Sequence, residues 1–145
     1  LHERGLLGGK YAISVVCQPI VRGQIVAEPE TIATAIRIGN PASWKQAENA
    51  RDKSGGLIDM VTDEEILEAY RLVSAREGVF VEPSSAAGIA GLLKHKKAGN
   101  LPTSKKIVIT VTGNGLKDVG WVIDHAPAPT IIPNNVDQAA KAMGL

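Results

Sequence analysis

The chain has 145 residues, with 44% apolar and 21% charged side chains, a globular balance at the size of one domain. Lys and Arg number 16 against 15 Asp and Glu, a net charge of +1, so no basic surplus points to nucleic acid or anionic lipid. Aromatic residues at 3% offer no base-stacking platform, and no apolar run reaches membrane-spanning length.

Residues 1–10 carry Gly5, Gly8 and Gly9 without clear patterning. The first residue is Leu1, with no basic and apolar leader pattern after it, which fits a processed or truncated piece. Residues 11–16 read as a short buried strand. Cys17, the single cysteine, excludes an intramolecular disulfide and fits a reducing, cytoplasmic setting. It reads as a small buried hydrophobe in preference to a reactive thiol.

Residues 18–30 contain Pro19, Gly23 and Pro29 and are expected to be mostly loop. Residues 31–38 look helical, with Ile32, Ala35 and Ile36 at one-face spacing. Gly39 stops that segment. Asn40 as N-cap and Pro41 in the first turn then predict a helix over residues 42–53, ended by Gly55 and Gly56. Residues 57–61 form a strand candidate. Thr62 to Glu65 is a capping box, in which the hydroxyl and the carboxylate each take one orphan N–H. Ile66, Leu67, Tyr70 and Val73 follow at helical spacing, and Gly78 is the stop.

Residues 79–81 read as a short buried strand. Pro83 with Ser84 or Ser85 opens a helix to about Lys97, with Ala86, Ile89, Ala90 and Leu93 on its apolar side. Gly88 and Gly91 would admit a neighbouring backbone. Residues 107–111 are a continuous β-branched run suited to a central parallel strand. Residues 119–134 are Pro-rich and expected to be loop, and a short helix over residues 136–143 closes the chain. The alternation of β-branched runs and helices gives an α/β fold class, a mostly parallel sheet flanked by helices.

In open α/β sheets ligands bind beyond the carboxyl ends of the strands. Thr112-Gly113-Asn114-Gly115 leaves the best strand and is either a Gly-rich turn or a small-ligand contact. Its spacing fits neither the nucleotide P-loop nor the dinucleotide glycine pattern. Glu82-Pro83-Ser84-Ser85 leaves a second strand, where Glu82 could face a ligand or serve the first turn of the following helix. Ser54-Gly55-Gly56 reads as a helix-ending turn more readily than as an anion nest. His2, His95 and His125 lack metal-ligand spacing, so no metal site is expected.

The run Pro29-Glu30-Thr31-Ile32-Ala33-Thr34-Ala35-Ile36-Arg37-Ile38-Gly39-Asn40-Pro41-Ala42-Ser43-Trp44 closely resembles threonine synthase. So do Val61-Thr62-Asp63-Glu64-Glu65-Ile66, Phe80-Val81-Glu82-Pro83-Ser84-Ser85-Ala86-Ala87 and Thr112-Gly113-Asn114-Gly115-Leu116-Lys117-Asp118, in the same order and spacing. The likeness covers residues 18–118, after a divergent start at 1–17 and before a Pro-rich tail and short helix at 119–145.

The resemblance implies a pyridoxal 5'-phosphate enzyme of the tryptophan-synthase β-like fold (fold type II). Its members convert O-phosphohomoserine and water to threonine and phosphate, and the complete enzyme is expected to be a homodimer. It implies that Thr112 bonds the pyridine nitrogen of the cofactor, and that Ala35 lies against the ring. It further implies that Glu82 is a carboxylate near the ring, and that Gly113 and Asn114 line the same strand exit. A neutral hydroxyl opposite the ring nitrogen keeps that nitrogen largely unprotonated.

The Schiff-base lysine and the Gly-rich phosphate loop of the family lie in an N-terminal segment whose motifs do not occur here, and Lys117 matches a different family lysine. The resemblance therefore implies the C-terminal portion of such an enzyme. That portion would be inactive alone, with no catalytic residue of its own, and would rely on the missing N-terminal half or a complementary chain. Such a half-fold is expected to associate or to be poorly soluble. Two other readings stay open: a non-catalytic binding remnant of the fold, and a portion of a related dehydratase or racemase.

Overall fold

The computed structural model describes residues 13–14, 18–101, 103–104 and 106–145. Residues 1–10, most of the strand expected at residues 11–16, and Cys17 lie outside the described residues. Two short strands, β1 (Ile13–Ser14) and β2 (Leu57–Ile58), pair in parallel, with Ile13 opposite Leu57 and Ser14 opposite Ile58. Among the described residues six α-helices follow: α1 (Gln18–Arg22), α2 (Trp44–Ser54), α3 (Asp63–Glu77), α4 (Pro83–Lys97), α5 (Val119–His125) and α6 (Val136–Met143). Among the described residues no helix is long and apolar enough to cross a membrane.

The core is the seam between α3 and α4. Ile66 and Ala69 of α3 meet Ala86, Ala87 and Ala90 of α4, all buried, and Ala33 and Val81 close the cluster. Ala69, Ala86, Ala87 and Ala90 are the small residues of this seam, and Ile66 fills it from α3. The start of α3 is the expected capping box. Thr62 Oγ1 accepts the Glu65 N–H at 3.2 Å, and the Glu65 carboxylate accepts the Thr62 N–H at 2.9 Å. Such a cap contributes about 1 kcal/mol. Gly78 ends α3 at φ 65°, the left-handed region. Pro83 opens α4 where its missing N–H is no loss, and Lys94, His95, Lys96 and Lys97 complement the negative end of the helix.

A second tie lies at the far end of α4. Asp59, just after β2, binds Lys94 Nζ at 2.7 Å and His95 Nε2 at 3.1 Å, and Lys94 also donates to the Met60 carbonyl at 2.6 Å. Burial alone would push the Asp59 carboxyl up. The hydrogen bonds from Lys94 and the Met60 N–H, the Lys94 charge and the His95 contact outweigh that and hold it below its ordinary value. A depressed carboxyl stabilises the fold above the unfolded value, and the gain is lost as pH falls through the folded one. Asp59→Asn is therefore expected to cost about 1 kcal/mol at neutral pH. The difference from the parent should shrink as pH drops below about 4. Urea midpoints of both proteins across that range check it, and a pH-independent difference would remove the ion-pair explanation.

Several expectations are corrected. Residues 18–22 are helical where loop was expected. Pro19 sits in the first turn of α1, where it is tolerated, and Gly23 at φ 68° ends the helix. Residues 31–38 are not a helix, apart from a 3-10 turn at Thr34–Ile36. Thr31 Oγ1 and the Ile32 N–H both go to the carboxylate of Asp63, the first residue of α3, and the Ala33 N–H goes to Thr31 Oγ1, so side-chain bonds, two of them to a distant element, hold this segment out of a helix. Asn40 does not cap α2: residues 42–43 form a turn, and the helix begins at Trp44 behind Ser43, whose carbonyl accepts the Ala47 N–H at 3.0 Å. Its end is as expected, with Gly55 left-handed and Ser54 Oγ bridging the Arg51 carbonyl and the Gly56 N–H.

The sheet is the largest departure from the expected architecture. The strand at residues 57–61 shrinks to Leu57–Ile58, and the one at residues 79–81 to a single antiparallel bridge between Val81 and Asn114. The β-branched run at residues 107–111 is not a strand. Val108 is 83% exposed, and Ile107 and Val111 are exposed as well. Strand propensity needs partner backbone beside it, and no ladder runs along this segment among the described residues. The parallel β1–β2 pair is consistent with the α/β class, but a mostly parallel sheet is not present among the described residues. Residues 119–134 are not all loop, since Val119–His125 is helical and Pro127, Pro129 and Pro133 fall beyond it.

Candidate functional site

The two expected strand exits meet at the N-terminus of α4. The Glu82 N–H donates to the Gly113 carbonyl at 3.0 Å, and the Gly115 N–H donates to the Phe80 carbonyl at 3.2 Å. These two bonds clamp residues 80–82 against residues 113–115. Glu82 is the N-cap residue of α4 and is only 6% exposed, yet its side chain makes no cap bond. Its carboxylate lies flush against Gly113. A Cβ at that position would fall 1.9 Å from Oε1 and 2.0 Å from Cδ. A glycine is thus required for the close approach, and not for an unusual dihedral.

Gly115 serves the same purpose two residues later, with the Phe80 ring 2.4 Å from where its Cβ would stand. Phe80 in turn meets Tyr70 edge-on at 6.4 Å. Tyr70 meets Trp121 edge-on at 5.3 Å, and Trp121 stacks on His125 at 4.4 Å. Burial raises the Tyr70 hydroxyl above its ordinary value. This aromatic row fills the space between α3 and α5 beneath the glycine turn.

Ser85 secures the turn from the α4 side. Its hydroxyl accepts the Thr112 N–H at 3.1 Å and the Gly113 N–H at 2.7 Å, and lies 3.3 Å from Thr112 Oγ1. Ser85 is 3% exposed, whereas Thr112 is exposed, so Thr112 is held from its buried side by Ser85. Asn114 spends its side chain as a cap, its Oδ1 accepting the Leu116 N–H at 2.9 Å at the start of a 3-10 turn, Gly115–Asp118.

Of the residues singled out from sequence, the structure brings Glu82, Thr112, Gly113 and Asn114 into one cluster. Ala35 is exposed on the 3-10 turn Thr34–Ile36, which packs against α4, and Thr34 Oγ1 donates to Asp118 at 2.9 Å. The Ala35 turn is thereby tied to the segment that follows Asn114. Ser85 and the Thr34–Asp118 link were not singled out. Ser85 reads in sequence as a helix-opening serine, and nothing within α4 signals that its partner lies 27 residues on. A surface depression of about 590 Å3 is lined by Glu64, Leu67, Glu68, Arg71 and Leu72, all from α3, and includes none of these residues.

Comparison with known proteins gives a consistent answer. The pyridoxal-phosphate dependent enzyme family matches residues 11–113. A threonine synthase of Bacillus sp. (strain ULM1) is 59% identical over 99 residues, covering 68% of this chain and 28% of its own length. A threonine synthase of Mycobacterium leprae (strain TN) is 50% identical over 127 residues, covering 88% of this chain and 35% of its own. The chain thus spans about a third of the length of the curated relatives it matches. Among solved structures, a fungal L-serine ammonia-lyase from Rhizomucor miehei superposes with a TM-score of 0.53 at 22% identity, over 79% of this chain and 40% of that one.

Proposed function

Because this chain belongs to the pyridoxal-phosphate dependent enzyme family, we propose that it is the C-terminal portion of a threonine synthase. On this reading the whole enzyme turns O-phosphohomoserine and water into threonine and phosphate. The observation that carries it is 50–59% identity to threonine synthases over 99 to 127 residues of this chain.

The donor set fits one edge of the cofactor. Thr112 offers a neutral hydroxyl that is exposed, on backbone held by Ser85, and a pyridine nitrogen is the acceptor such a group suits. Gly113 carries no side chain to obstruct that edge, and the buried Glu82 carboxylate lies beside it. Pyridoxal phosphate supplies the electron sink for bond changes at the amino acid. What is left to this chain is tuning and placement. A hydroxyl donor stabilises the neutral ring nitrogen, where a carboxylate partner would favour its protonation. Ala35, on the tethered 3-10 turn, offers a small side chain and backbone for the ring face, and Gly113 and Asn114 line the Thr112 side.

Residues 1–145 then make up one piece of a longer fold, with residues 18–118 as its family-like core. The Schiff-base lysine would come from the preceding segment or a complementary chain, and the isolated chain would be inactive. Among the described residues the cluster presents no lysine, and Lys117 lies beyond Asn114, itself exposed on the 3-10 turn Gly115–Asp118.

Two measurements test the reading. Borohydride reduction of the isolated chain with pyridoxal phosphate should leave no stoichiometric lysine adduct. Adding the preceding two thirds of the Bacillus threonine synthase in trans should yield threonine and phosphate from O-phosphohomoserine. A single specifically modified lysine in the chain alone would overturn its dependence on a second segment. Deamination of threonine or serine by the complemented protein without threonine formation would overturn the synthase assignment.

A further inference from the structure

We propose that Ser85 is a positioning residue that sets the direction of the Thr112 hydroxyl proton, and so makes this edge of the site selective for an unprotonated ring nitrogen. The proposal rests on the reading of Thr112 as the partner of that nitrogen. It starts from a count of lone pairs. A serine hydroxyl has two acceptor sites and one proton. Both acceptor sites of Ser85 Oγ are taken, by the Thr112 N–H at 3.1 Å and the Gly113 N–H at 2.7 Å. Its proton remains, and the oxygen facing it is Thr112 Oγ1 at 3.3 Å. Ser85 therefore donates to Thr112.

The consequence falls on the second hydroxyl. Thr112 cannot direct its own proton back at Ser85, where a proton already points forward. Its O–H is turned to the open side, where Thr112 is exposed. A ligand atom arriving there meets a donor. A neutral pyridine nitrogen accepts from it, while a pyridinium N–H would meet it proton to proton. Without Ser85 the Thr112 hydroxyl is free to rotate and to accept as readily as donate, and the discrimination goes. Ser85 can hold this direction because it is buried in the first turn of α4, a 15-residue helix whose other side is the alanine seam.

The test compares the parent with Ser85→Ala, Ser85→Thr and Thr112→Val. In the chain without cofactor, three-bond couplings to the Thr112 methyl report its χ1. A single rotamer is expected in the parent and averaging in Ser85→Ala, with amide exchange at Thr112 and Gly113 faster by about tenfold. Exchange across the α3–α4 seam should stay unchanged, and Ser85→Thr, which keeps the hydroxyl, should restore the single rotamer. Should Ser85→Ala fail to fold, Ser85→Cys keeps the shape with a weak acceptor and is read in the same way.

In the complemented protein, loaded with pyridoxal phosphate carrying nitrogen-15 in the ring, the nitrogen shift is followed against pH. Ser85→Ala should raise the pH at which the nitrogen protonates, and Thr112→Val should raise it at least as far. A fixed Thr112 rotamer in Ser85→Ala, or an unmoved nitrogen titration in that variant when Thr112→Val moves it, overturns the role of Ser85. An unmoved titration in Thr112→Val overturns instead the cofactor reading on which it rests.

Discussion

Replacing Gly39 by alanine should be among the most damaging single changes in the chain. A Cβ there would fall 1.8 Å from the Val26 carbonyl oxygen, 3.0 Å from its carbon and 3.3 Å from Pro29 Cδ. The first two atoms are main chain, so no rotamer change relieves the clash. The Val26 N–H to Gly39 carbonyl bond, which holds the loop in place, must break or stretch for the methyl to enter. Overpacking of this kind costs about 3 kcal/mol or more, a large share of the roughly 5–15 kcal/mol that holds an ordinary domain together. Gly120→Ala is the control. Nothing lies within 4 Å of its Cβ, and alanine in a helix should be neutral or stabilising by up to about 1 kcal/mol. Urea midpoints of the two variants decide the matter, and equal midpoints would show that the loop is looser than its geometry requires.

The second large effect is expected at Gly113, where the obstacle is a side chain and the clash can be relieved by a second change. With Gly113→Ala, either the Glu82 carboxylate leaves its buried seat or residues 112–114 shift and lose their bonds to Ser85. The expected cost is about 1–3 kcal/mol, with pyridoxal phosphate capture by the complemented protein lost as Thr112 moves. Truncating the obstacle should rescue much of the stability. Gly113→Ala in a Glu82→Ala background should cost at least about 1 kcal/mol less than in the parent. Simple additivity of the two changes would mean that the glycine is required for something other than the approach of Glu82.

What could be read from the chain depended on how far apart the interacting groups stand in sequence. The Thr62–Glu65 capping box, Gly78, Pro83 and the bounds of α4 and α6 are all settled within a turn or two, and local residues announce them. The 3-10 turn at Thr34–Ile36 was not legible, because Thr31 and Ile32 find their partner at Asp63, on another element. The β-branched run at residues 107–111 misled for the opposite reason. Its propensity is real, but a strand is made by a neighbour, and propensity does not supply one. The candidate site was half legible. Glu82 and residues 112–114 stood out as segments following β-branched runs, yet that they face each other through an antiparallel bridge was not foreseen. Nor was the role of Ser85. The run at residues 29–44 is one of the stretches that carry the likeness, and Gly39 supplies a physical reason for one of its residues.

The alanine seam also bears on the order of assembly. α3 and α4 are consecutive in the chain, joined by residues 78–82, and their contacts close a short loop. Contacts of that kind form early at low entropic cost, whereas those that seat residues 112–115 must close a longer one. During synthesis the helical hairpin also emerges before the segment that docks on it. Ser85 and Glu82 are then expected to stand ready on a folded template when Thr112 and Gly113 arrive, so that the Thr112 turn is the last region of this unit to take shape and the first to be lost when it loosens.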